Sequence, residues 1–235
     1  MSDPKKFWKF MLVLGFTAMR LPLILLFLGI CIVAPAPLSS LWFSLALGAM
    51  ILSAATDLLD GLLARRLHVE SRIGAYADPL VDKFFYLTAF PTLVYLAARQ
   101  EPALHAQVLL VLAILFLGRD QWVSFLRSTG ALYDVDAKAN WSGKARTLIS
   151  FPVLCIIFYY LQAPRSWGFQ FQPWLVYCLE ALGMGINLIS IWVYTRHYAP
   201  CLKKEIRLGY ESLDIQRPTT TARPGNHPPP PAEPG

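Results

Sequence analysis

Four aspartates, Asp57, Asp60, Asp78 and Asp82, crowd into one short stretch of a chain that is otherwise poor in charge. Asp57 and Asp60 stand three residues apart and Asp78 and Asp82 four apart, so on a helix each pair faces one way. Carboxylates gathered in a low-dielectric setting repel one another unless they are protonated or bound to cations. Divalent metal is the simplest solution. An all-oxygen donor set with no His or Cys beside it favours Mg²⁺, Mn²⁺ or Ca²⁺ over zinc. Two such ions can grip a diphosphate and support an in-line displacement at phosphorus, with a carboxylate of the second pair as base for a hydroxyl nucleophile. Gly61 and Ala64 share the stripe of Asp57 and Asp60, which leaves room for a ligand against that face. The competing reading is a structural network with Arg65 and Lys83, and the regular spacing argues against it.

The elements that must carry these groups are membrane helices. The 235 residues are 55% hydrophobic and 15% charged, with a mean hydropathy of +0.44. That is more apolar surface than a soluble domain of this size can hide. Six stretches reach spanning length: residues 14–34, 40–64, 77–98, 104–127, 143–163 and 173–197. Residues 1–13 precede them, and Lys5, Lys6 and Lys9 alternate there with Phe7, Trp8 and Phe10. That alternation predicts a short interfacial amphipathic helix. Arg20 interrupts the first apolar run, so this segment reads as retained rather than as a cleaved signal. The expected fold class is therefore an all-α integral membrane protein with six transmembrane helices and a membrane domain over residues 14–210. Residues 211–235, rich in Pro, Thr and Gly, predict a disordered cytoplasmic tail.

Basic residues orient the bundle. Lys5, Lys6, Lys9, Arg65, Arg66, Arg72, Arg127, Lys138, Lys144, Arg146, Arg196, Lys203, Lys204 and Arg207 fall on one side, against Arg99 and Arg165 on the other. Both termini are then cytoplasmic, and all four aspartates meet at the cytoplasmic edge of the bilayer. The net charge of +6 is explained by this topology, and no nucleic-acid partner is expected. The four cysteines fall singly, which indicates neither a disulfide framework nor a zinc site. Glu180, alone in the last span, is expected to hydrogen-bond within the bundle, whereas His68 and His105 read as solvated bystanders. Ala46, Gly48, Ala49, Gly183 and Gly185 read as helix-contact residues. Ion-coupled transport also uses intramembrane carboxylates, but such sites lie at the midplane between repeated halves, and here they lie at one edge without a repeat.

The pattern Asp57-x2-Asp60-Gly61-x2-Ala64-Arg65-x8-Gly74-x3-Asp78-x3-Asp82 resembles the signature of the CDP-alcohol phosphotransferases at every fixed position. The resemblance implies that Asp57, Asp60 and Asp78 ligate two divalent ions, Mg²⁺ or Mn²⁺, with Asp82 near them as the catalytic base. It implies a CDP pocket shaped by Gly61, Ala64, Arg65 and Gly74, and a homodimer. Asp78-Pro79-x2-Asp82-Lys83, Thr17-x2-Arg20, Arg119-Asp120-x6-Arg127 and Trp141-Ser142-Gly143-Lys144-Ala145-Arg146-Thr147 look like the branch of bacterial phosphatidylglycerophosphate synthases and the related cardiolipin synthases. The chain departs from that pattern at Asp120, Arg146 and Ser128, and no Pro-Asn precedes Thr17.

Arg119, Arg127, Lys144 and Arg146 cluster near the cytoplasmic ends of spans four and five, with Arg119 too deep for orientation alone. Guanidinium forks at that depth suit a phosphorylated acceptor. The expected reaction is transfer of the phosphatidyl group from CDP-diacylglycerol to glycerol 3-phosphate with release of CMP, in a bacterial inner membrane. A cardiolipin synthase or a phosphatidylinositol-phosphate-type synthase is the alternative within the same family.

Overall fold

In hydrocarbon every backbone N–H and C=O must be satisfied within the segment, which leaves the helix as the only open choice for long apolar runs. The computed structural model describes residues 4–35, 37–67, 72–100, 102–133 and 141–215, and all of their long elements are helices. These are α1 (Pro4–Val33), α2 (Ser40–Leu67), α3 (Arg72–Gln100), α4 (Ala103–Ala131), α5 (Trp141–Gln162) and α6 (Pro173–Ile215). A single 3₁₀ turn, Arg165–Trp167, precedes α6. It stops at Gly168, whose φ of 70° is left-handed and favours a residue without a Cβ.

Among the described residues, Leu80–Gln100, Ala103–Ala131 and Pro173–Tyr210 are long and apolar enough to cross a membrane, and Thr17–Val33, Ser40–Thr56 and Ile149–Gln162 are shorter apolar stretches. Leu25, Ile114, Ile189 and Trp192 are exposed on these helices, a distribution that suits a lipid solvent. Helix α1 packs on α2 and α3, and α4 packs on α3 and α6. Helix α5 closes the bundle against α2, α3 and α6. Aromatic contacts fill the interior. Phe43 stacks on Phe158 at 5.5 Å, and Phe116 touches both Tyr86 and Phe90 at 4.7 Å.

Three expectations change. The N-terminal basic segment is not a separate helix, because α1 runs unbroken from Pro4 to Val33. The last helix does not end with its apolar run, because α6 continues for 43 residues. At helical rise that is about 65 Å, roughly twice the hydrocarbon thickness. It therefore enters the stretch read as tail, of which residues 216–235 lie outside the described residues. His105 is no solvated bystander. The first turn of α4 tucks it against Tyr160 and Tyr177, where it is 1% exposed and its Nε2 lies 2.8 Å from Glu180 Oε1. The partner expected for Glu180 within the bundle is thus His105, and His68 lies outside the described residues. Of the small residues, Ala46 and Ala49 are buried and Gly183 lies against Leu112, while Gly48 and Gly185 face open space.

Candidate active site

Asp57, Asp60, Gly61, Ala64 and Arg65 occupy the last turns of α2, and Gly74 and Asp78 the first turns of α3. Only residues 68–71 separate these two helices, so both aspartate pairs lie near the same connection. The side-chain surroundings of these seven residues, and of Lys144 and Arg146 at the start of α5, lie outside the described residues. No cluster of three or more His, Cys, Asp or Glu side chains occurs among the described residues.

Asp82 is described, and it does not stand alone. Arg20 of α1 donates from Nη1 to Asp82 Oδ1 at 3.2 Å. The two partners differ sharply in exposure: the arginine side chain is 2% exposed and the aspartate 45%. A buried guanidinium is a costly group to place in a bundle and persists where its partners are fixed. It holds the carboxylate in one orientation while leaving it accessible. Next along α3, Lys83 Nζ donates to Ser124 Oγ of α4 at 2.9 Å. This lysine is therefore tied across the bundle and does not simply extend to the interface.

On α4, Arg119 is 5% exposed. Its Nε and Nη2 both donate to Ser190 Oγ of α6, at 2.9 and 2.6 Å, and its Nη1 donates to Asp120 Oδ1 at 3.0 Å. Two turns on, Arg127 Nη2 donates to Tyr194 OH at 3.1 Å. Both guanidinium carbons sit over the Tyr194 ring, 5.1 Å from its centroid for Arg119 and 5.4 Å for Arg127. Both lie within cation–π range. The structure thus joins Arg119 and Arg127 through α6. Neither Ser190 nor Tyr194 stands out in the sequence as a site residue. The usable signal is their four-residue spacing, continued by Tyr198, which puts all three on one face of a helix. Tyr198 packs so closely on Gly130 of α4 that a Cβ there would collide with its ring.

A family model described as CDP-alcohol phosphatidyltransferase matches residues 12–194. The chain belongs to this family. The match begins in α1 and runs into α6, taking in Arg20, both aspartate pairs, Arg119, Arg127, Ser190 and Tyr194. The chain is 34% identical to the CDP-diacylglycerol–glycerol-3-phosphate 3-phosphatidyltransferase of Pseudomonas fluorescens over 165 residues, 66% of this chain and 77% of that one. It is 29% identical to the protein of the same name from Cereibacter sphaeroides over 199 residues, covering 70% and 85%. Similarity extends to a cardiolipin synthase (CMP-forming) of Oryza sativa subsp. japonica, 32% identical over 160 residues, 63% of this chain and 46% of that one.

Proposed function

We propose that this phosphatidyltransferase moves the phosphatidyl group of CDP-diacylglycerol onto glycerol 3-phosphate and releases CMP. The observation that carries the acceptor assignment is the pair of α4 arginines held over one buried ring, with Arg119 well inside the helix bundle. A neutral alcohol has no use for two cations there, whereas a phosphate monoester matches them in charge and in fork geometry. The relatives in Pseudomonas fluorescens and Cereibacter sphaeroides, whose names carry this reaction, support the same reading.

The donor set of Asp57, Asp60, Asp78 and Asp82 is all carboxylate, and the side chain of the described member, Asp82, is 45% exposed. Such a set fits Mg²⁺ or Mn²⁺. Bound there, two such ions would neutralise the diphosphate and ease departure of CMP. The chain's own residues supply the rest. Arg119 and Arg127, with Lys144 and Arg146, hold the acceptor phosphate. Gly61, Ala64, Arg65 and Gly74 accommodate the CDP moiety. Asp82, steadied by Arg20, takes the proton of the acceptor's 1-hydroxyl as its oxygen attacks the β-phosphorus and the bond to CMP breaks.

In this reading all six helices cross the bilayer, the site and both termini face the cytoplasm of a bacterial inner membrane, and the enzyme acts as a homodimer. Protein reconstituted with CDP-diacylglycerol and Mg²⁺ should carry labelled glycerol 3-phosphate into the chloroform phase as a phosphatidyl ester. Label that stays in the aqueous phase while CMP appears would refute this acceptor. The similarity to a cardiolipin synthase keeps phosphatidylglycerol as the second acceptor to compare.

A further inference from the structure

The two α4 arginines pose an electrostatic problem that Asp120 of α4 answers in part, pairing with Arg119 at 3.0 Å, and that α6 answers for both. Arg119 and Arg127 lie eight residues apart, about 12 Å along a helix. Yet both guanidinium carbons come within 5.4 Å of the same ring centroid. Like charges drawn together inside a bundle repel, and the arrangement survives only where neighbours compensate. Tyr194 compensates twice. The negative face of its ring attracts both arginines, and its hydroxyl oxygen accepts from Arg127. Ser190, one turn earlier on the same face, accepts from both Nε and Nη2 of Arg119. Tyr194 and Ser190 are themselves buried, so neither needs to touch a substrate to act. Tyr198, a turn later, fits over Gly130 and fixes the register of α6 on α4.

We propose that Ser190 and Tyr194 are positioning residues that hold Arg119 and Arg127 as one clamp, and that this clamp selects a phosphorylated acceptor over a neutral alcohol. The inference deepens the glycerol 3-phosphate reading and rests on it. Helix α6 thereby contributes to acceptor choice without contributing a charge.

The test is steady-state kinetics of CMP release by the full-length protein in vesicles, with glycerol 3-phosphate varied at saturating CDP-diacylglycerol. Tyr194→Phe keeps the ring and removes one oxygen. It should raise KM for glycerol 3-phosphate about tenfold, the usual weight of a hydrogen bond to a charged group, with kcat within about twofold. KM for CDP-diacylglycerol should not move. Ser190→Ala should behave likewise, and Ser190→Thr, which restores a hydroxyl, should recover most of the loss. The double variant Arg127→Ala/Tyr194→Phe should be no worse than Arg127→Ala, because the hydroxyl acts through that arginine. Tyr194→Leu should be worse than Tyr194→Phe, but the Phe and Ser190 variants decide the matter even where the Leu protein does not fold.

Three results would overturn the proposal. One is an unchanged KM in Tyr194→Phe and Ser190→Ala while Arg119→Ala and Arg127→Ala raise it. Another is a fall in kcat with no change in KM, the mark of a merely structural role. The third is an unchanged KM in both arginine variants, which refutes the acceptor site itself and takes the clamp with it.

Discussion

Two buried polar pairings sit at opposite ends of this bundle, and they differ in what they leave open. In the first, Arg20 is buried but its partner Asp82 is 45% exposed, so the pair presents a carboxylate to its surroundings. In the second, His105 is 1% exposed and Glu180 0%, with Tyr160 and Tyr177 against the imidazole, and the pair presents nothing. The His105 pair has the contacts of a structural tie between the first turn of α4 and the early turns of α6. The Arg20 pair has one fixed and one accessible member, the arrangement expected where a protein positions a group for use. Burial of a titratable residue in a membrane bundle is therefore a poor guide to function by itself. The exposure of its partner discriminates.

Substitutions should separate the two pairings. Asp82→Asn should lower turnover at least about a thousandfold, since it removes the proposed base while keeping the shape, and should leave CDP-diacylglycerol binding intact. Single-turnover CMP release together with a lipid-binding assay checks this, and substantial residual turnover would remove Asp82 from that role. Arg119→Ala should raise KM for glycerol 3-phosphate about 100-fold, because a charged hydrogen-bonding group is lost at a buried position, and should spare affinity for CDP-diacylglycerol.

At the other end the sign of the comparison reverses. Glu180→Ala should cost about 1–3 kcal/mol of stability, the weight of a buried polar group left without its partner. The group concerned is His105 Nε2, and the kinetic constants of the folded fraction should not change. Thermal denaturation in detergent beside kinetics would show it, and a selective kinetic defect would mean that this pair communicates with the site. Gly130→Ala should cost about 1–2 kcal/mol, as overpacking of a tight contact does. The contact is with Tyr198, and a modest rise in KM for glycerol 3-phosphate should accompany it as α6 shifts on α4.

The smallest effect belongs beyond the bundle, at Tyr133. Desolvation, then its hydrogen bond with Glu205 and the negative charge of that carboxylate, hold this phenol above its ordinary range. A raised phenol stabilises the fold below the unfolded value of about 10, and that contribution fades as pH climbs through the higher folded value. Ultraviolet titration of the protein against Tyr133→Phe should show late ionisation of this group, and Glu205→Gln should bring it earlier.

The order and approximate centres of all six helices were legible in the sequence, because apolar length alone marks them. Their ends were not. Helix α6 runs on to Ile215 and α1 starts at Pro4. Hydropathy reports where lipid would lie, whereas helical hydrogen bonding propagates through Lys203, Lys204 and Arg207 just as well. The aspartate spacing and the depth of Arg119 carried the proposed chemistry, and the burial of Arg119 was legible in that depth. What single-chain spacing could not convey was pairing between distant helices. Arg20 stood out as an interruption of an apolar run, but its contact with Asp82 spans 62 positions. His105 looked solvated because it begins a helix, and only the packing of α4 on α6 covers it. Ser190 and Tyr194 were hidden for the opposite reason. In an apolar span both residue types are ordinary, and their role depends on which helix faces them.

The most direct test of the account is an acceptor panel. Purified protein with CDP-diacylglycerol and Mg²⁺ or Mn²⁺ would be offered glycerol 3-phosphate, inositol 1-phosphate, inositol, serine and phosphatidylglycerol in turn, and CMP release measured. Release is expected with glycerol 3-phosphate, and little with the unphosphorylated alcohols or with phosphatidylglycerol. Release with inositol, serine or phosphatidylglycerol, and none with glycerol 3-phosphate, would contradict the reading of the α4 arginines as an acceptor-phosphate site.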